Sequence, residues 1–203
     1  MNQNWIKRFF VMLVGTVFLG LGIAIFKISL MGNDPYSAMV MAMSDAFSIK
    51  YAIFLVLINC VWFVAQILFG RKYIGAGTFV NWVGLGFITT FFVNLFNRLF
   101  TVPDIFLCKL IIMFIGVVVI SLGISMYQTS DTGISPYDSL SVILSDKTPV
   151  PYFWCRIFTD SVCAIVTFIF GGLLGLGTLS CALAVGPFVS FFDRHISQKL
   201  CKE

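Results

Sequence analysis

Long apolar stretches separated by short polar breaks organise this chain. Phe9–Phe26, Tyr51–Gly70, Tyr73–Asn97 and Leu110–Ser130 each run 18 or more positions without Asp, Glu, Lys or Arg. Ser161–Phe192 runs 32 such positions, interrupted by the glycines of "GGLLGLG" (Gly171–Gly177). One helical crossing of a bilayer needs roughly 20 apolar residues, so these stretches predict membrane spans. Two further segments, "MGNDPYSAM" (Met31–Met39) and "TGISPYDSL" (Thr132–Leu140), read as helix starts. Asp34 and Ser135 suit the N-cap, and Pro35 and Pro136 suit the first helical position. A helix over Pro35–Phe47 rises about 20 Å at 1.5 Å per residue, against a hydrocarbon core of about 30 Å. The pattern therefore predicts two half-helices that enter the membrane and return.

The two helix starts belong to a longer self-similarity. Residues 15–70 aligned with 116–171 share 15 identities in 56 positions, including Gly32/Gly133, "PY" at 35–36 and 136–137, and "SD" at 44–45 and 145–146. After a one-residue shift the match resumes as "GxGT", with Gly75, Gly77 and Thr78 against Gly175, Gly177 and Thr178, and then Gly86 against Gly186. Shared apolar composition does not place Gly, Pro, Tyr, Asp and Thr in register. The expected architecture is all-α, about six transmembrane helices plus two half-helices. It is a single transmembrane domain over 1–203, in two repeats of about 8–98 and 109–194.

Three crossings per repeat, an odd number, would invert one repeat relative to the other about an in-plane pseudo-two-fold axis. Lys7, Arg8, Arg71, Lys72, Lys147, Arg156, Arg194, Lys199 and Lys202 then lie in the cytoplasm, with Lys50, Arg98 and Lys109 outside. That split obeys the positive-inside rule. Eight crossings with parallel halves would obey it as well; the short helix length favours six.

Composition agrees with the pattern. Of 203 residues 59% are hydrophobic and 11% charged, with a mean hydropathy of +0.99, whereas ordinary soluble domains are about 25% charged. The lipid bilayer is thus the expected partner. The net charge of +4 reflects cytoplasmic flanks, and no basic run points to nucleic acid. The apolar stretch after Lys7 and Arg8 is longer than a signal core and lacks an A-x-A-like site, so a retained first span with a cytoplasmic amino terminus is expected, as is a cytoplasmic carboxyl terminus. Six cysteines form no C-x-x-C pair, and the only histidine is His195 in a polar tail. No metal site, disulfide framework or cofactor is expected.

"GISPYDSLSVILS" followed by "GLGTLSCALAVGPFVSFFD" resembles the YczE/YitT-like family of bacterial integral membrane proteins, which carries a G-x-x-P-x-D segment and a later G-x-G-T…G-P/L-F…D segment. The second half matches closely. The first half is degenerate: Ser37 stands where the second half has Asp138, and Phe87 where it has Pro187. The resemblance implies a multi-span bundle in the bacterial cytoplasmic (inner) membrane and says little about substrate.

An ionisable side chain inside lipid costs roughly 2.5–3.5 kcal/mol at a helix centre and is a functional candidate by default. In the alignment Asn59 faces Asp160, Lys27 faces Gln128 and Ser37 faces Asp138. These pairs, with Asp34, Ser135, Tyr36 and Tyr137, form the candidate solute or ion site. Each has a plainer reading. Asp138 closes an S-x-x-D capping box with Ser135; Asp160 neutralises Arg156 one turn earlier; Lys27 snorkels from a span end; the tyrosines are interfacial anchors. The glycines, Pro187, Thr78 and Thr178 are expected to serve turns, packing and caps.

Two functions remain open on these grounds. Inverted halves with opposed half-helices point to a small secondary transporter for a solute or ion. Six short spans with little loop point instead to a non-transporting subunit or regulator that binds a partner or captures a solute for a larger transporter. Homodimerisation suits so small a bundle. Catalysis is not expected, because H-E-x-x-H, G-x-S-x-G and G-x-x-x-x-G-K-[ST] are all missing.

Overall fold

The computed structural model describes residues 3–99, 104–172 and 174–202, and all their regular structure is helical. Leu173 of the glycine turn and the first two residues of the amino-terminal reading lie outside them. In chain order the helices are α1 (Gln3–Ile28), α2 (Pro35–Ala46), α3 (Tyr51–Phe69), α4 (Ala76–Phe79), α5 (Leu85–Leu99), α6 (Phe106–Thr129), α7 (Pro136–Lys147), α8 (Tyr152–Ile169), α9 (Leu176–Phe192) and α10 (Gln198–Lys202). A π-helical turn over Val80–Gly84 joins α4 to α5 into one rod, and another over Asp193–Ser197 joins α9 to α10. Helices satisfy every mid-span backbone group internally, which lipid demands.

Five helical stretches are long and apolar enough to cross a membrane: Trp5–Ile28, Ala76–Leu99, Phe106–Thr129, Tyr152–Ile169 and Leu176–Cys201. The apolar part of α3, Ile53–Phe69, is shorter. At 1.5 Å per residue it rises about 25 Å, a little under the hydrocarbon thickness.

The core is the antiparallel crossing of α1 on α6. Gly15, Gly22, Gly116 and Gly123 let the two backbones touch. A methyl at Gly22 would meet the Ile120 nitrogen at 2.5 Å, and one at Gly123 the Leu19 nitrogen at 2.4 Å. Such small-residue contacts replace the hydrophobic drive that lipid removes. Met12, Leu19, Phe26, Val117, Ile120, Ile124 and Tyr127 fill the remaining space together with Cys181, Val185 and Val189 of α9. All six cysteines are free.

Both short helices begin where the prolines place them and are 12 residues long. The Asp34 carboxylate accepts the Ser37 N–H at 2.9 Å, and Ser135 Oγ accepts the Asp138 N–H at 3.4 Å. Helix α2 packs along α8, and α7 along α3. Their carboxyl halves lie at the ends of those partners: a methyl at Gly172 would meet Ala42 Cβ at 2.6 Å, and one at Gly70 would meet Ile143 Cδ1 at 2.4 Å. Their first turns instead reach the middles of α3 and α8, where Tyr36 bonds Asn59 and Tyr137 bonds Asp160. Each short helix therefore covers about half the length of a long one.

Two matching seams hold the turns before α2 and α7. The Gly177 N–H donates to the Met31 carbonyl, and the Gly77 N–H to the Thr132 carbonyl, both at 2.9 Å. Gly32 and Gly133 sit at φ of +138° and +122°, a region closed to other residues. Thr178 Oγ1 donates to the Asn33 carbonyl at 2.7 Å, while Thr78 Oγ1 accepts the Gly75 N–H at 3.2 Å and so caps α4. Gly175 fits because a methyl there would meet the Met31 carbonyl oxygen at 2.2 Å. Gly186 backs α9 onto the Phe153 carbonyl, and Pro187 lies inside that helix.

Candidate functional site

The second residue of each short helix is a tyrosine, and the two tyrosines stack: the Tyr36 and Tyr137 rings lie 4.2 Å apart with planes 12° from parallel. The amino-terminal ends of α2 and α7 thus meet at this stack, where Tyr137 is buried and Tyr36 half-buried. Each hydroxyl then turns back to its own half. Tyr36 donates to Asn59 Oδ1 at 2.8 Å, and Tyr137 to Asp160 Oδ1 at 2.6 Å.

On the α8 side of the stack lies a buried ion cluster. Arg156 Nε donates to Asp160 Oδ2 at 3.1 Å, one helical turn away, and Arg156 Nη1 pairs with Asp138 Oδ1 on α7. Asp138 Oδ2 also accepts the Tyr127 hydroxyl from α6 and the Ser135 hydroxyl at 2.7 Å. The Arg156 guanidinium sits 5.3 Å from the Tyr137 ring centroid, within cation–π range. Asp138, Arg156 and Asp160 are 8%, 7% and 1% exposed. The i,i+4 pairing expected for Arg156 and Asp160 is present, but deep in the protein and shared with a second acid. Asp138 directs its carboxylate at Arg156 and two hydroxyls, while its backbone N–H takes the cap from Ser135.

The α3 side of the stack is polar without charge. Gln66 Nε2 donates to the Ile134 carbonyl at 3.0 Å, just before α7. Trp62 Nε1, Gln66 Oε1 and, on the π-helical turn after α4, Asn81 Nδ2 are buried without a hydrogen-bond partner. Buried polar atoms in folded proteins are nearly always paired, and these three are exceptions among the described residues.

A half-open cleft of about 450 Å³ lies on the other side of the cluster, walled by the end of α6, the turn at Asp131–Ile134, the end of α7, Tyr152 and the end of α9. Gln128 and Tyr152 line it, with Gln128 Nε2 and the Tyr152 hydroxyl both buried away from solvent. At its rim Asp146 pairs with Lys72 and accepts the Tyr73 hydroxyl. Those two groups hold the Asp146 carboxyl below its ordinary range.

Of the sequence candidates, Tyr36, Tyr137, Asn59, Asp138, Asp160 and Ser135 converge, and Gln128 lies in the adjoining cleft. Asp34 is spent on capping α2. Lys27 is exposed at the end of α1, outside the cluster. Tyr127, Trp62, Gln66, Asn81 and Tyr152 did not stand out in the sequence. They are uncharged and lie on four separate elements, α3, the turn after α4, α6 and α8. The repeat register held one signal for Tyr127, which aligns with the apolar Phe26.

Helices of membrane-spanning length around buried charges define an all-helical membrane protein. The chain belongs to a family of unknown function (DUF6198), whose model matches residues 6–194. It is similar to the membrane protein YczE of Bacillus subtilis, 23% identical over 192 residues that cover 94% of this chain and 87% of that protein. A second Bacillus subtilis protein, YyaS, is 26% identical over 197 residues, covering 92% of this chain and 94% of that protein. A Haemophilus influenzae protein is 24% identical over 196 residues, covering 95% and 86%. The resemblance read from the glycine and proline motifs is therefore family membership on the YczE side. No solved structure matches the chain.

Proposed function

We propose that this protein is a small secondary transporter of the bacterial cytoplasmic membrane, built from two inverted halves with six crossings, that moves a small polar solute or ion along the tyrosine stack. The observation that carries the reading is the meeting of the two short-helix amino termini beside a buried ion cluster. Half-helices ending near the middle of a bundle present their positive dipole ends to a solute. The matching seams at Met31–Gly177 and Thr132–Gly77, and the matching bonds Tyr36–Asn59 and Tyr137–Asp160, support two halves of one design. The cleft opens beside the cluster, with Tyr152 in its wall one helical turn before Arg156.

The test is flux through purified protein in liposomes, read by light scattering as vesicles swell in imposed gradients of polyols, amides, amino acids, sodium or chloride salts. At least one class is expected to enter faster than into protein-free vesicles, and Asp138→Asn is expected to abolish the difference. No acceleration by any class overturns the reading.

A second reading, a non-transporting subunit, is favoured by one feature. Only 11% of the α4–α5 span is covered by protein, against 33–50% in the other four. A partner or a second copy of the chain would cover it where lipid otherwise does. A partner that co-purifies in fixed ratio, together with absent flux, selects this reading.

A further inference from the structure

We propose that Asp160 is a proton-binding site whose charge state switches the cluster, which makes the proton the coupling ion of the transporter proposed above and rests on that reading. The argument is a charge count. Asp138 and Asp160 supply two negative charges and Arg156 supplies one positive, and all three are at least nine-tenths buried. The groups that face them are Tyr127 from α6, Ser135 and Tyr137 from α7, Tyr152 and Cys163 from α8 and Cys181 from α9. On the far side of the stack stand Tyr36 and Asn59 from α2 and α3. None is a cation. A further charge within reach of both cysteines is Asp34, also negative. A net negative charge in a low-dielectric interior is costly unless a counter-charge arrives.

A proton suits the site better than a metal ion. Every oxygen of both carboxylates already faces an O–H or N–H donor. A metal would have to expel these donors, whereas a proton needs one spare lone pair, and a carboxylate has about four acceptor positions. No group of three or more His, Cys, Asp or Glu side chains poised for a metal occurs among the described residues. Asp160 is the acceptor because it is the more deeply buried acid and is held by one hydroxyl and Nε. Asp138 is held by two hydroxyls and Nη1.

Uptake is a plain protonation. One O–H bond forms on the Asp160 carboxylate, the proton is delivered by a hydronium ion of the bathing solution that becomes water, and no electrons are exchanged. Arg156 then keeps one acid, Asp138, as its full counter-charge. The Tyr137 hydroxyl, facing a neutral acid instead of an anion, is released to rotate, and the ring stacked on Tyr36 loosens.

Infrared difference spectroscopy of the full chain in lipid nanodiscs tests this independently of transport. As the pH is lowered from about 9 to about 5, the range open to a physiological proton carrier, a protonated-carboxyl C=O band is expected to grow. It should vanish in Asp160→Asn, shift in Asp160→Glu and in Tyr137→Phe, and persist in Asp104→Asn, an exposed control away from the cleft. Should Asp160→Asn fail to fold, the Tyr137→Phe shift still decides. An absent band, or one unmoved by both Asp160 variants and by Tyr137→Phe, overturns the proposal. Flux in the same preparation separates the two readings: a titrating band without flux keeps the proton site and removes the transporter, and flux without the band does the reverse.

Discussion

Arg156 holds two acids that belong to different helices, and its removal should be costlier than the loss of a surface ion pair. Removing one member of a buried pair typically costs about 3–5 kcal/mol, because the other charge stays behind unpaired. Arg156→Met is thus expected to lower the detergent-solubilised melting temperature severely. Adding Asp138→Asn and Asp160→Asn to it should recover most of the loss, since no uncompensated charge remains. Failure of the triple variant to recover would mean that Arg156 acts by packing. Tyr137→Phe removes one hydrogen bond to a charged acceptor, worth about 1.5–3 kcal/mol, and should lower the same melting temperature by a smaller step. At this scale the acids were legible in the sequence, because any Asp inside an apolar stretch is conspicuous. Arg156, Ser135 and Tyr137 were legible as partners too, from their spacing and the repeat. Tyr127 was not, because it looks ordinary until α6 packs against α7.

Among the elements, α1 and α6 depend on glycines that no side chain can replace. Gly22→Val and Gly123→Val place atoms inside the facing backbone. Overpacking of this kind costs about 1–3 kcal/mol or forces the helices apart. Both variants should melt lower and elute as broadened peaks on size exclusion, while Gly86→Val, where open space surrounds the position, should behave as wild type. Equal behaviour of all three would remove the crossing from the account. The short helices were readable almost residue by residue, because cap and proline fix where a helix starts. Their entry into the membrane was expected from their shortness; the neighbours that set each stub's direction inside the bundle were not readable. That direction comes from the tyrosine stack and from the contacts of Ala42 and Ile143 with the far ends of α8 and α3.

For the whole molecule, the transporter reading and the proton site both presuppose that α2 and α7 enter from opposite faces. Lys50 follows α2 and Lys147 ends α7, and both are exposed, so a cysteine at either position can react without disturbing the core. The repeat register predicted this opposition but left an eight-crossing arrangement open, since positive charge on the cytoplasmic side fits either. The most direct measurement is therefore the labelling of Lys50→Cys and Lys147→Cys, each in a cysteine-free background, with a membrane-impermeant maleimide. Two inverted halves predict that Lys50→Cys reacts in intact cells and Lys147→Cys only after permeabilisation. Reaction of both from the same side would contradict the account.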